Sequence, residues 1–358
     1  VVHAHVPGRD GGRLIVRIAA FTPRGAALAA RVADGLAALG AQAQAFASPG
    51  IAKETGLPST TGISAWTREC FAKSDALVYI GAAGIAVRAI APHIASKHTD
   101  PAVLCMDEGG AYVIPLLSGH EGGANRLAES IARMIGAAAV VTTATDVNGC
   151  FAVDEWIARN GFTLIHLENV SAFAMAELRG EKPGLSSDFP VEGRSADIFG
   201  ENGDVGLYVG PGYGEPFSKT VQAVPAVVTA GIGCRRGTDA SAIRRAIQEA
   251  FSMCAFRTEA LEGIASIDLK QDEKGLFVCA EQFKVPLRFF PAETLKQAEG
   301  SFTASPLVER VTGVDNVCER AAVSASGGRL VLKKQIIGGV TVALAMREIT
   351  IKFTGENQ

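Results

Sequence analysis

The densest grouping of polar and glycine residues between two apolar runs is residues 117–125, LSGHEGGAN. Loops between a strand and a helix are where α/β proteins seat ligands. Gly119, Gly122 and Gly123 let backbone N–H groups approach an anion, and Ser118 and Asn125 add side-chain donors and acceptors. His120 can transfer a proton near neutral pH, or it can form a structural hydrogen bond at the helix start. The nucleophile-elbow pattern G-x-S-x-G fails at Ser118, because it requires glycine where Leu116 stands.

Other segments offer complementary groups. Asp107 and Glu108 form a carboxylate pair in a glycine-bearing turn, where the alternative role is a solvated hairpin loop. Thr143 and Asp146 close a further apolar run and can bind a ligand or cap the next helix. The turn from Gly81 to Gly84 leads into a helix carrying Arg88, an arrangement that aims N–H groups and a cation at an anion. It lacks the G-x-G-x-x-G spacing of a dinucleotide site. Residues 231–238, GIGCRRGT, repeat that logic with Gly233 and Arg235, which suit a carboxylate or phosphate. Cys234 in the same turn has no histidine motif beside it and is expected to pack.

The elements that must position these groups follow from periodicity. Apolar, branched runs at 14–21, 41–47, 76–80 and 138–143 alternate with helical patterns at 26–39, 64–73, 85–94 and 122–136. Such alternation predicts a Rossmann-like, mainly parallel sheet covered by helices, interrupted by a hairpin of 102–106 with 111–117. Residues 226–230, 263–269, 287–290, 330–333 and 341–346 read as strands of a second α/β unit, with helices at 241–253 and 272–282. The expected organisation is an N-terminal α/β domain over 1–145, a small middle linker or lid domain over 146–224, and a C-terminal α/β domain over 225–358.

Composition narrows the function classes. The chain has 358 residues and a formal net charge of −3, which supplies no global attraction to nucleic acid or to an anionic membrane. No apolar run approaches the roughly 20 residues of a membrane helix, and residues 1–13 lack the apolar stretch of a signal peptide, so a cytoplasmic protein is expected. Seven cysteines without a C-x-x-C pair read as reduced thiols, and six histidines form no recognised ligand cluster, so no protein-held metal is expected.

Taken together, several ordered motifs resemble the CbiG family of cobalamin biosynthesis. They are residues 81–94 (GAAGIAVRAIAPHI), 113–127 (VIPLLSGHEGGANRL), 141–154 (VTTATDVNGCFAVD), 231–238, 265–270 (ASIDLK), 286–290 (PLRFF) and 313–321 (GVDNVCERA). The C-terminal part is also similar to CobE, a stand-alone protein of the same pathway. The resemblance is weakest over 1–13 and 180–220. It implies a cobalt-precorrin-5A hydrolase that opens a δ-lactone on a cobalt-bearing tetrapyrrole with water and releases acetaldehyde. No cofactor is then needed, because the cobalt is carried by the substrate. The alternative is a non-catalytic tetrapyrrole carrier. A homodimer, or contact with other corrin-pathway enzymes, stays open.

Lactone opening needs an activated water, donors for the carbonyl oxyanion and a proton relay, but no covalent intermediate. Under that chemistry His120 is the expected general base. Glu108 or Asp107 would orient it if the two loops reach one sheet edge, and Asp146 is the next candidate. Gly81, Gly84, Arg88, Ser118, Gly119, Gly122, Gly123, Asn125, Thr143, Gly233 and Arg235 are expected to bind substrate.

Overall fold

The computed structural model describes residues 12–96, 99–119, 122–200 and 203–353. Two compact units, Val1–Asn148 and Gly149–Gln358, divide the chain. In the first, β1 (Ile15–Ala20), β2 (Gln42–Ala47), β3 (Ala76–Ile80), β4 (Ala102–Met106), β5 (Tyr112–Leu117) and β6 (Ala138–Ala139) build one sheet in the order β2-β1-β3-β4-β5-β6. The first four run parallel, β5 is antiparallel to β4, and β6 is parallel to β5.

Helices cover both faces, which is why β3 (ALVYI) and β4 (AVLCM) are unbroken apolar runs, buried at every position. Side chains alternate between the two cores. Ile18, Val78, Ile80 and Leu104 pack with helices Pro23–Ala38 and Ala124–Ile135, whereas Ala19, Leu77, Tyr79 and Val103 pack with Ile63–Lys73 and Ala83–Ile90. The Tyr79 hydroxyl shares a 2.8 Å hydrogen bond with Thr67, so the phenol enters the core with its polar atom satisfied. The first helix starts on a Thr-Pro signal: the Thr22 hydroxyl accepts the Gly25 N–H at 3.0 Å, and Pro23 takes the first turn, where a missing N–H costs nothing.

The strand expected over 138–143 is shorter than its apolar run. Val140 still donates to the Val113 carbonyl, but the chain then leaves the ladder and Thr143 turns into the short helix Ala144–Val147.

The second unit contains β7 (Thr163–Ile165), β8 (Gly184–Ser187), β9 (Val191–Gly193), β10 (Val205–Val209), β11 (Lys219–Val224), β12 (Val228–Gly233), β13 (Leu261–Ile267), β14 (Leu287–Phe290), β15 (Arg329–Ile337), β16 (Val340–Met346) and β17 (Ile351–Phe353). A four-stranded sheet is ordered β7-β11-β10-β8 and a five-stranded sheet β14-β13-β12-β16-β15. From residue 149 onward the segments read as a middle and a C-terminal domain lie in this one unit and share a core, with Leu207, Val209 and Val221 in the same cluster as Val228, Ile247 and Leu344, while residues 146–148 belong to the first unit. A helix that periodicity did not single out, Val317–Ser326, packs on β12 and β13. Gly231 permits this approach, because a Cβ there would run into the Cys318 carbonyl. The helix is fixed by Glu319, a fully buried carboxylate that accepts N–H groups of Thr303 and Lys334, each at 2.7 Å, and the Thr303 hydroxyl at 2.8 Å.

Closure of this unit is non-local. β17 pairs in parallel with β9, about 160 residues earlier, and Phe353 stacks on Trp156 with ring centroids 4.7 Å apart. Phe151 and Phe199 meet the same phenylalanine edge-on at 5.9 and 5.0 Å, and the Trp156 indole N–H donates to the Lys352 carbonyl. Phe353 is 1% exposed, so truncating it opens a cavity that its aromatic neighbours cannot collapse to fill. Phe353→Ala is therefore expected to cost about 3–5 kcal/mol of unfolding free energy. Urea titration checks this, and a loss below 1 kcal/mol would show that β17 is not part of the cooperative core.

Candidate functional site

The direction of β5 decides which polar loops meet. Parallel β1, β3 and β4 deliver Thr22, Gly81 and Asp107 to one end of the sheet. β5 runs the other way, with Val113 beside Met106 and Leu117 beside Val103, so Ser118 emerges at the opposite end, next to Asp100. The two ends are a strand apart, on the order of 16 Å for five residues. The expectation that the Asp107-Glu108 and Ser118 loops reach one edge therefore fails, for the simple reason that the hairpin reverses the chain.

At the first end the polar groups are largely committed to holding the fold. Asp107 Oδ1 accepts the N–H groups of Ala111 (2.9 Å) and Tyr112 (2.7 Å), and Oδ2 accepts that of Gly109 (2.9 Å). This is the hairpin-turn role that its sequence position also allowed. Glu108 Oε2 accepts the Thr22 hydroxyl at 2.6 Å, tying the turn to the start of the first helix. Gly81 donates to the Met106 carbonyl at 2.8 Å, and a Cβ there would press on the Phe21 ring. Arg88 is exposed and folds back along its own helix, Nη1 donating to the Gly84 carbonyl at 3.3 Å.

The second end brings together Ser118, Gly119, Gly122, Gly123, Asn125, Thr143 and Asp146. Ser118 has φ +57°, a left-handed conformation that costs a non-glycine residue about 1–3 kcal/mol and must be held by its surroundings. Its hydroxyl donates to the Asp100 carbonyl at 3.1 Å, and its own carbonyl accepts the Ala124 N–H at 3.1 Å. Gly122 lies against it so closely that a Cβ would overlap the Ser118 side chain, while Gly123 takes φ +76° to enter the helix Ala124–Ile135. Asn125, in the first turn of that helix, is 6% exposed. Its Nδ2 donates to Asp146 Oδ2 at 2.8 Å and to Thr143 Oγ1 at 3.1 Å. Asp146 itself is exposed, so a buried amide presents an open carboxylate.

His120 lies outside the described residues. Asp100, to which motif reading gave no role, and Thr145, which closes the same run as Thr143, also belong to this end. Asp100, 4% exposed, accepts the N–H groups of Ala95 (3.0 Å) and Ser96 (3.1 Å) and so fixes the loop leading into β4. Asp before Pro at a strand entrance is the one signal that could have flagged it. The Thr145 hydroxyl oxygen is buried and finds no partner among the described residues.

Gly233 and Arg235 belong to the second unit. Thr341 donates its hydroxyl to the Gly233 carbonyl at 3.0 Å, in the space a side chain would occupy. Arg235 is exposed, and the turn that follows is pinned by Gly237 N–H on the buried carboxylate of Glu273 at 2.9 Å. Burial pushes the Cys234 thiol above its usual range, which disfavours a thiolate nucleophile. All seven cysteines are free. Among the described residues, no three His, Cys, Asp or Glu side chains converge as a metal would need, and no helix is long and apolar enough to cross a membrane.

Known proteins share this arrangement of segments. Residues 65–146 match the family model described as cobalamin synthesis G N-terminal, a stretch that runs from the helix before β3 to Asp146. Residues 228–345 match the model for the cobalamin synthesis G C-terminus. The chain is 34% identical to the cobalt-precorrin-5A hydrolase of Salmonella typhimurium over 344 residues, 91% of this chain and 96% of that one. It is 30% identical to the protein of the same name in Priestia megaterium, across 77% of this chain and 79% of the relative. Protein CobE of a Sinorhizobium species is 32% identical over 136 residues, 37% of this chain and 87% of that protein. Similarity that runs almost end to end through a relative, with both family segments in order, makes this chain a member of the CbiG family.

Proposed function

We propose that this chain is a cobalt-precorrin-5A hydrolase that opens the δ-lactone of its tetrapyrrole substrate with water and releases acetaldehyde. The observation that carries the assignment is the 34% identity to a cobalt-precorrin-5A hydrolase along 96% of that relative. The chemistry is then assigned to the Ser118, Asn125 and Asp146 end of the first sheet. Asp146 takes the proton of a water that adds to the lactone carbonyl. The acyl C–O bond breaks, so the water oxygen stays in the ring acetate, and the former lactone oxygen remains on the carbon that carries the methyl group. That carbon leaves as acetaldehyde when its bond to the macrocycle breaks, the electron pair returning to the ring and being protonated there. A carboxylate suits the first step because it needs a base within hydrogen-bond reach of water rather than a covalent nucleophile. The glycine-rich backbone beside Ser118 supports the reading as a source of N–H donors for the carbonyl oxyanion.

The cobalt arrives and departs with the macrocycle, and turnover requires no added cofactor. The reaction belongs in the cytoplasm, a placement that the seven free thiols support.

Purified protein given cobalt-precorrin-5A alone is expected to release one acetaldehyde per substrate. In 18O-water the label should enter the ring acetate. A folded protein that binds the substrate without turnover would instead be a carrier, and an unlabelled acetate would move the attack away from the carbonyl.

Asp146→Asn is expected to lower kcat by roughly 10²–10⁴ while leaving substrate affinity intact. His120→Ala, run alongside, decides between the two proton acceptors. A loss of that size in the histidine variant, with Asp146→Asn near wild type, would transfer the role to His120.

A further inference from the structure

Asn125 stands out because its position contradicts the role that its motif suggests. In the sequence it sits among ligand-binding glycines, yet the folded side chain is 6% exposed, and its Nδ2 donates to two protein acceptors, Asp146 Oδ2 and Thr143 Oγ1. An NH2 group has two hydrogens, so no side-chain donor is left for a substrate. We propose that Asn125 is a positioning residue for hydrolysis, holding the Asp146 carboxylate in its reactive orientation from the first turn of the half-buried helix Ala124–Ile135. This inference rests on the reading of Asp146 as the proton acceptor.

The two partners differ in what fixes them. Asn125 rides on a twelve-residue helix whose Ala124, Leu127, Ala128 and Ile131 are buried in the core of the first unit. Its backbone N–H is also bonded to the Gly119 carbonyl at 3.0 Å. Asp146 rides on the four-residue helix Ala144–Val147, which buries none of its residues. A carboxylate on so short an exposed element would sample several rotamers, and the amide restricts it at the cost of one already immobile side chain. The bond uses Oδ2, and Oδ1 has no partner among the described residues. One oxygen anchors the group while the other can meet water.

Gly119 completes the clamp. A Cβ on that residue would lie 2.8 Å from Asn125 Oδ1 and 3.1 Å from Nδ2, so glycine is what lets the amide sit flat against the loop. The same amide spans to Thr143, so the segment that carries Asp146 is held at two of its polar side chains. Leucine, with the same outline as asparagine, would fill the space and hold neither.

The test measures acetaldehyde release at saturating substrate for Asn125→Ala, Asp146→Asn and the double variant, with substrate affinity determined separately. Asn125→Ala should lower kcat about 10- to 100-fold with KM within about twofold of wild type, as expected when a reacting group is misplaced while the substrate still binds normally. In the Asp146→Asn background the same change should have almost no further effect, because two residues that act as one unit are not additive. Losses that multiply in the double variant would overturn the proposal, and so would a raised KM at unchanged kcat, which would return Asn125 to substrate binding. Asp146→Asn at wild-type rate would sink the assignment of Asp146 itself, a separate and recognisable result.

Two further measurements cover the remaining outcomes. Gly119→Ala leaves Asn125 in place but should displace its amide, and it is expected to reproduce the kcat loss if Asn125→Ala does not fold. If the Asp146→Asn background is too slow to measure, kcat of Asn125→Leu decides the matter. Leucine fills the space without an N–H donor, so it should lose kcat as Asn125→Ala does, and Asn125→Leu at the wild-type rate would make the residue merely structural.

Discussion

The pairing of β5 with β4 is the constraint on which the first unit depends. A parallel strand in that place would have required a crossover of a dozen or more residues and would have emptied its loop at the same end as Asp107. The hairpin needs only five residues between strands, and it delivers residue 118 to the amino ends of the parallel strands. Everything that gathers around Asn125 follows from that reversal: the Asp100 loop entering β4, the strained Ser118 leaving β5, and the Thr143 to Asp146 segment leaving β6, which runs parallel to β5. In an open α/β sheet the usual place for a ligand is the carboxyl end of the parallel strands. Here that end is occupied by contacts of Asp107 and Glu108 that secure the turn and the first helix, and the open carboxylate lies at the other end.

Carboxylates in this protein divide by what meets them. Asp107, Asp100 and Glu319 each accept backbone N–H groups and are therefore part of the framework, replacing ladder or helix bonds that the chain cannot make at those points. Asp146 accepts from a side-chain amide and keeps an oxygen available. The distinction is geometric, and it cannot be drawn from residue type: all are acids near turns or helix starts.

That difference also measures what the sequence could reveal. Unbroken apolar runs made β3 and β4 legible, because a strand buried on both faces has no polar positions to confuse its period, and the turn at Asp107 to Gly110 announced the hairpin. β14 was readable from the prolines at 286 and 291 that bound it, and the helix ending at Met253 from its one-sided apolar period. The four-stranded sheet of the second unit was not. Its strands are three to six residues long, separated by glycine, proline and acidic stretches, and β8 reads GLSS, with no alternation to detect. β9 and β17 are held by partners about 160 residues apart, so no local window contains the reason they form. At the candidate site the glycines and the asparagine were visible as a motif. What remained hidden was the burial of Asn125, which depends on where residues 143–146 return after a helix and a two-residue strand.

The pairing of β17 with β9 has a consequence for how the protein is made. The first unit is contiguous in sequence, and its sheet can close once the ribosome has passed residue 148. The aromatic cluster of the second unit cannot: Phe199 is synthesised some 150 residues, and Phe151 and Trp156 some 200 residues, before the phenylalanine that covers them. During that interval a nascent chain whose first unit has already folded carries an exposed apolar surface, the situation in which chaperones are engaged. Translation speed between β9 and β17 should thus influence the yield of native protein more than translation speed along the first unit.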